Sequence, residues 1–172
     1  MRRAGEQTAG MNRFSATTES TAVVAAERSR IWAVLTDPVL LPQLTPLLKK
    51  IDTDGDRWRW HLVGLSVLGV GISPVFTERM VFDTGDGDGS RIDYTHEPPP
   101  GSRETTGAEG WYVLTDEPGG GTRLAISLGL GVELPLPRLA GPAVTAVMKE
   151  TMQRMGDRFS ANLLRHLGVP AH

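Results

Sequence analysis

The sequence predicts an α+β fold in which a curved antiparallel sheet of about six to seven strands wraps around a long C-terminal helix. Two observations carry this prediction. Between residues 47 and 134, apolar and polar residues alternate in short segments separated by turn signals. In residues 137–168, apolar residues recur at spacings of three and four, which is typical of an amphipathic helix. Because strands joined by hairpins cannot bury their apolar face alone, we expect the helix to cover it.

The first part of the predicted fold holds one strand and two short helices. Residues 14–26 are polar and β-branched, then apolar, which predicts the first strand. Residues 27–37 predict a helix that ends because Pro38 disfavours a helical conformation of Asp37. Asp37 is well placed to cap a second helix over residues 38–44. The apolar face of the first helix comprises Ile31, Val34 and Leu35.

Six further segments have the alternating pattern of half-buried antiparallel strands. They are residues 47–54, 57–63, 75–83, 91–97, 107–117 and 122–134. The last of them alternates most clearly, and its apolar side chains share one face because successive strand residues point to opposite sides. That face comprises Leu124, Ile126, Leu128, Leu130 and Val132.

The segment 64–74 is irregular and apolar, and three glycines, Gly64, Gly69 and Gly71, interleave with its apolar residues. An apolar segment of this kind is unfavourable to expose. We interpret it as a mobile lid over a cavity mouth, a membrane-touching loop, a partner-binding surface, or a bulged strand that packs normally.

Composition limits the function classes. Lys and Arg total 18 and Asp and Glu total 20 in 172 residues, so the near-balanced charge predicts no nucleic-acid partner. The chain has no cysteine, which excludes disulfides, thiolate catalysis and cysteine-ligated metals. The histidines His61, His166 and His172 have no carboxylate or histidine at metal-ligand spacing. We therefore expect no metal and no cofactor, and the oligomeric state stays open.

The lack of long apolar runs determines how we interpret the N-terminal residues and the compartment. Residues 1–13 carry twin arginines without a following apolar run, so we interpret them as a flexible extension rather than a secretion signal. Residues 14–168 form the single predicted domain and residues 169–172 a tail. No run of 18 apolar residues exists, so we expect no stable membrane insertion and a cytoplasmic protein.

Four stretches carry a resemblance to a known superfamily. They are VVAAERSRIWAVLTDPVLLPQLTP (23–46), TERMVFD (77–83), TRLAISL (122–128) and MGDRFSANLLRHL (155–167). With these four stretches in this order, the chain resembles members of the START-type helix-grip (SRPBCC) superfamily, which includes polyketide cyclase/dehydrase-like and lipid-transfer branches. The resemblance implies a cavity between sheet and long helix for a hydrophobic small molecule such as a lipid, polyketide or quinone. Its motifs are structural, so they transfer no catalytic residue.

Aromatic, leucine and methionine side chains are the candidates for the cavity wall. Methionines on the long helix would supply an adaptable lining, although each such residue can equally serve as core packing. The candidates are Trp58, Trp60, Phe76, Met80, Tyr94, Trp111, Leu128, Met148, Met152 and Met155.

Two strands carry three polar candidates for catalysis. Tyr94 and His96 lie two residues apart on one strand face, where they could orient a carbonyl group or exchange a proton. The alternative is a polar pair without a catalytic role. Glu109 shares a strand face with Trp111 and has the same two interpretations.

Glu78 is the fourth candidate, because it lies between two apolar residues of its strand face. If that face is buried, the pKa of Glu78 is raised and marks a site. The alternatives are that this face is the outer one, or that Glu78 pairs with an arginine, for which Arg59 and Arg79 are the possible partners.

Three functions compete at this point. The first is binding or transport of a hydrophobic small molecule in the internal cavity. The second is a polyketide cyclase or dehydratase that uses polar residues of the cavity. The third is a non-enzymatic partner or chaperone protein that uses the 64–74 segment.

Overall fold

A computed structural model describes residues 10–171. The strands are β1 (Asn12–Val24), β2 (Leu48–Asp54), β3 (Arg57–Leu62), β4 (Leu65–Val67), β5 (Val70–Ile72), β6 (Val75–Asp83), β7 (Gly89–His96), β8 (Thr106–Asp116) and β9 (Thr122–Leu134). The helices are α1 (Arg28–Leu35), α2 (Leu40–Leu44) and α3 (Gly141–Leu167), and a 3₁₀ turn at Arg138–Ala140 precedes α3.

Seven of these strands form one antiparallel sheet in the order β1–β9–β8–β7–β6–β3–β2. Consecutive strands pair as hairpins from β6 to β9, whereas β1 returns to pair with β9 over its whole length, from Asn12 opposite Leu134 to Val24 opposite Thr122. The sheet, the two short helices and the long helix confirm the predicted helix-grip fold.

The long helix α3 covers the concave face of this sheet. Its buried side chains recur at helical spacing and comprise Val144, Met148, Met152, Phe159, Leu163 and Leu167. They join two core clusters, one beside α1 and α2 and one near the start of α3. The helix ends at Gly168, whose left-handed conformation, φ 69°, is the usual C-terminal stop.

The two short helices form where the prolines and Asp37 predict them, although both are shorter than predicted. The Asp37 side chain accepts hydrogen bonds from the backbone N–H groups of Val39 and Leu40 at 2.9 and 3.0 Å. Asp37 therefore caps the turn at residues 38–39, whereas α2 itself begins at Leu40, two residues later than predicted, with Val39 at its N-cap position. The predicted apolar face of α1 is also confirmed, since Ile31, Val34 and Leu35 are all buried.

The 64–74 segment forms the separate two-stranded hairpin β4–β5. Val67 is buried in the core cluster near the start of α3, so this part packs normally. The turn places Leu68 at φ 47° and Gly69 at φ 82°, and Leu68 is exposed. A leucine in this left-handed region is strained, because its Cβ crowds the backbone.

The ends of some elements differ from the sequence predictions. β1 begins at Asn12, inside the predicted extension, because Asn12 and Arg13 still pair with β9. The rest of that predicted extension, residues 1–9, lies outside the described residues, as does His172 of the predicted tail.

Candidate functional site

A cavity of about 530 Å³ lies between the concave face of the sheet and α3. Residues from β1, β2, β3, β6, β7, β8 and β9 contribute to its wall, and α2 and α3 complete it. The inner wall is mainly aliphatic and aromatic. Exposed polar residues on β1 and α3 mark its opening, among them Glu19, Lys149, Gln153 and Asp157.

The structure places six of the ten predicted wall residues on this cavity. Alternation along the strands and helical spacing along α3 bring them to the enclosed side of the molecule. They are Trp60, Phe76, Tyr94, Leu128, Met152 and Met155.

The other four predicted wall residues lie elsewhere. Trp58 is buried in the core against Phe82, with ring centroids 5.6 Å apart, and Met80 belongs to the same core cluster. Met148 is buried in the cluster near the start of α3. Trp111 lies under the Arg91 guanidinium, whose Cζ atom is 5.3 Å from the centroid of the Trp111 ring. It alternates along β8 with the cavity residue Tyr112, so the two side chains point to opposite faces of the sheet. Core packing therefore keeps Trp58, Met80 and Met148 away from the cavity, whereas Trp111 lies on the opposite face of the sheet.

Glu78 is a buried acid on the cavity wall, with only 3% of its surface exposed. Neither arginine considered as a partner reaches it, since Arg59 is exposed and Arg79 pairs with Asp56 at 3.5 Å. Among the described residues Glu78 has no ion pair. Burial raises the pKa of Glu78 well above its usual range, and a polar contact with the Trp60 indole opposes this rise only in part.

The Trp60 indole N–H is the second unusual polar group of the wall. It is buried, and no described residue accepts a hydrogen bond from it in favourable geometry. Its contact with Glu78 is close enough to favour the ionised carboxylate but does not satisfy the N–H group. Buried donors without a partner are rare and unfavourable in folded proteins.

Tyr112 is a wall residue that the sequence analysis missed. It alternates with Trp111 on β8, so the face opposite Trp111 was the signal that could have identified it. Burial, followed by the nearby Glu78 carboxyl, raises the pKa of the Tyr112 hydroxyl, which keeps its proton at neutral pH.

Tyr94 also lines the cavity, but its hydroxyl is already engaged. It donates to the backbone carbonyl of Ser127 at 2.6 Å, and its ring lies 5.6 Å from that of Tyr112. Burial is the main reason that the pKa of Tyr94 is raised. Tyr94 therefore remains a neutral donor that holds the wall together.

His96 and Glu109 do not join the other catalytic candidates. The His96 ring lies 3.1 Å from a carboxylate oxygen of Glu104, and Glu104 also accepts hydrogen bonds from the backbone N–H and hydroxyl of Thr77. This network holds the 98–105 loop against the sheet. Glu109 is exposed on the face of β8 that alternates with the cavity residues.

Two other kinds of site are absent from the described part of the chain. Residues 10–171 contain no group of three or more acidic, histidine or cysteine side chains arranged to hold a metal ion. No helix among them has the length and apolar character needed to cross a membrane.

The sequence match decides the family. A family model described as polyketide cyclase/dehydrase and lipid transport matches residues 15–168. The chain belongs to this family. No curated protein matches the chain.

Solved structures share the fold at low sequence identity. A START superfamily protein from Mycobacterium smegmatis is 19% identical, with a TM-score of 0.60, 91% of this chain covered and 99% of that one. The Zhui aromatase/cyclase from a Streptomyces species is 14% identical, with a TM-score of 0.61 and coverages of 90% and 94%. A STAR-related lipid transfer protein from Xanthomonas axonopodis is 13% identical, with a TM-score of 0.61 and coverages of 86% and 85%. These likenesses concern the fold.

Proposed function

We propose that the protein binds a hydrophobic small molecule in the cavity between the sheet and α3 and carries it in solution. The observation that supports this most directly is an apolar cavity of about 530 Å³. Small-molecule sites typically have volumes of roughly 300–1,000 Å³, apolar walls and a few polar groups that orient the ligand. Glu78, Trp60 and Tyr112 are such polar groups.

The family supports the same class of ligand. Its description joins polyketide chemistry with lipid transport, and both involve largely apolar molecules. The wall combines rigid aromatic rings on the sheet with the flexible side chains of Met152 and Met155 on α3. Because methionine adapts its shape easily, this helix can accommodate a ligand without displacement of the sheet.

Binding is tested on the purified protein with a fluorescent naphthalene probe and by native mass spectrometry after mild extraction. Trp60→Ala removes an indole from the cavity wall, whereas the matched Trp58→Ala removes one from the core two residues away. We expect Trp60→Ala to weaken probe binding about tenfold, and Trp58→Ala to lower stability by about 3–5 kcal/mol while the folded fraction keeps its affinity. Absence of probe binding to the wild-type protein would contradict the proposal.

A cyclase or dehydratase is the second candidate. Glu78 and Tyr112 both lie on the cavity wall, and burial raises the pKa of the Glu78 carboxyl and of the Tyr112 hydroxyl, which favours their protonated forms. Such groups can protonate a carbonyl oxygen as a substrate cyclises or loses water. Incubation with a short poly-β-ketone thioester tests this, with Glu78→Gln as the comparison. Cyclised product that forms equally fast with and without the protein would exclude it.

The partner or chaperone function of the 64–74 segment stays a prediction. The exposed Leu68 at the β4–β5 turn is the feature a partner would contact. A pull-down with the wild-type chain and with Leu68→Asn tests it, because asparagine tolerates the left-handed conformation and removes the apolar side chain. Equal recovery of the same proteins would count against this function.

A further inference from the structure

The inner wall of the cavity presents hydrogen-bond donors that the protein itself leaves unused. The Trp60 N–H is buried and has no partner in favourable geometry among the described residues. Glu78 has neither an ion pair nor a well-formed hydrogen bond there, and it lies on β6, the strand that pairs with the Trp60 strand. Tyr112, on β8, lines the same cavity with its hydroxyl-bearing ring.

A ligand with a hydrogen-bond acceptor would satisfy this arrangement. A buried polar group without a hydrogen-bond partner is unfavourable in free energy, and a ligand atom that accepts its hydrogen bond removes this unfavourable contribution. A protonated Glu78 can donate its O–H, and Trp60 can donate its N–H, to the same region of the cavity. The surrounding rings and aliphatic side chains would hold the apolar remainder of the ligand.

An anionic ligand end does not fit the inner wall. Among the described residues of the wall, Lys149 is the one basic side chain, and it is exposed on α3 at the opening. A carboxylate or phosphate beside Glu78 would lose its hydration without gaining an opposite charge.

A cationic ligand end is less favourable than a neutral one. An ammonium group would require Glu78 to ionise in a place that water scarcely reaches, so both charges would lose their hydration. It would also bring more N–H donors to a wall whose unsatisfied groups are themselves donors.

We infer that the ligand is a neutral hydrophobic molecule that places a carbonyl oxygen, from a ketone, quinone or ester, against Glu78 and Trp60. This inference rests on the proposed binding function and narrows its ligand class. In this arrangement Glu78 and Trp60 orient the ligand by donating hydrogen bonds to its carbonyl oxygen.

Three probes with the same naphthalene skeleton test the inference by isothermal titration with the full chain. Acetonaphthone carries a ketone, ethylnaphthalene has no polar group, and naphthylethylamine is an ammonium ion at neutral pH. We expect acetonaphthone to bind about tenfold more tightly than ethylnaphthalene, which corresponds to one or two hydrogen bonds, and naphthylethylamine to bind most weakly.

Three variants test whether Glu78 and Trp60 cause the preference for the ketone. Glu78→Gln keeps a neutral donor, so the ketone preference should remain, whereas Glu78→Leu removes the donor and should abolish the preference while ethylnaphthalene still binds. Trp60→Phe keeps an aromatic ring without the N–H and should reduce the preference about threefold to fivefold. Retained ethylnaphthalene binding shows that each variant is folded with an open cavity.

The outcomes separate this inference from the proposed function. If ethylnaphthalene binds and acetonaphthone binds no better, the inference is overturned and the proposed function stands. Tightest binding of naphthylethylamine, lost in Glu78→Gln, would overturn it in favour of a cationic ligand. If none of the three probes binds, the proposed function fails and the inference fails with it.

Discussion

The hydroxyl of Tyr94 donates a hydrogen bond to the backbone carbonyl oxygen of Ser127 at 2.6 Å. The two residues belong to β7 and β9, which are separated in the sheet by β8. The Tyr94 ring therefore crosses β8 above Gly110, where there is no side chain to meet it. This contact ties three strands together directly beneath the cavity.

Gly110→Ala should disturb this crossing. A Cβ atom there would lie 2.6 Å from the Tyr94 hydroxyl oxygen and would also collide with the Ser127 carbonyl oxygen. We expect a loss of about 1–3 kcal/mol in the free energy of unfolding, because overpacking forces side chains and backbone to shift. Urea denaturation followed by circular dichroism measures it.

Gly156→Ala on α3 is the matched control for that substitution. A Cβ atom at Gly156 meets no atom within 4 Å, and the position is within a helix. Alanine should therefore raise the free energy of unfolding by up to about 1 kcal/mol. Similar stabilities of the two variants would show that Gly110 does not need to be a glycine.

Asp37→Ala should remove the cap of the turn into α2. The Asp37 carboxylate accepts two backbone N–H groups, and alanine would leave both without this partner. We expect a loss of about 1 kcal/mol in the free energy of unfolding, and recovery of most of it in Asp37→Asn, which is also a good cap. Thermal denaturation of the three proteins compares them, and an equal loss in both variants would point to the charge rather than the cap.

Most of the fold could be predicted from local patterns in the sequence. Asp37 beside Pro38 predicted the cap, and strand alternation placed Leu128 on the enclosed face, because both effects depend on residues close together in the chain. The order of the elements then limited how the sheet and the long helix could combine.

The set of residues that line the cavity could not be predicted in the same way. Trp58 and Trp60 share a strand and a face, yet only Trp60 reaches the cavity, since Phe82 from β6 packs against Trp58. Likewise, His96 pairs with Glu104 from a loop, a contact that no alternation pattern contains. Such outcomes depend on which distant side chains fill the space, and periodicity carries no information about them.

Two methionines on α3 offer a comparison between cavity wall and core. Met155 lines the cavity and is half-buried, whereas Met148, two turns earlier, is buried in the core cluster that includes Val67. Met148→Ala should lower the free energy of unfolding by about 2–5 kcal/mol, because it leaves a void in packed surroundings. Met155→Ala should lower it less and weaken probe binding several-fold, since ligand contacts are lost.

The comparison requires both stability and affinity for each methionine variant. Urea denaturation gives the first quantity, and titration with a fluorescent naphthalene probe gives the second. If Met148→Ala weakened binding as much as Met155→Ala, the cavity would extend further along α3 than the structure indicates.

Glu78→Gln should change how stability depends on pH. Burial raises the pKa of Glu78 in the folded protein above its value in the unfolded chain, so the folded state holds this proton more tightly. Its contribution to stability is complete below the unfolded pKa of about 4.3 and is lost as pH rises through the folded pKa. Glutamine has no proton to lose, so the variant should gain stability relative to the wild type as pH rises.

The free energy of unfolding of both proteins, measured from about pH 4 to about pH 9, tests this linkage. Glu109→Gln is the control, because it removes a carboxyl group that is exposed on the outer face of β8. A saturating neutral ligand that accepts a hydrogen bond from Glu78 should extend the stable range of the wild type to higher pH, since it binds only the protonated side chain well. A wild-type curve parallel to that of Glu78→Gln across the range would mean that folding leaves the pKa of Glu78 unchanged.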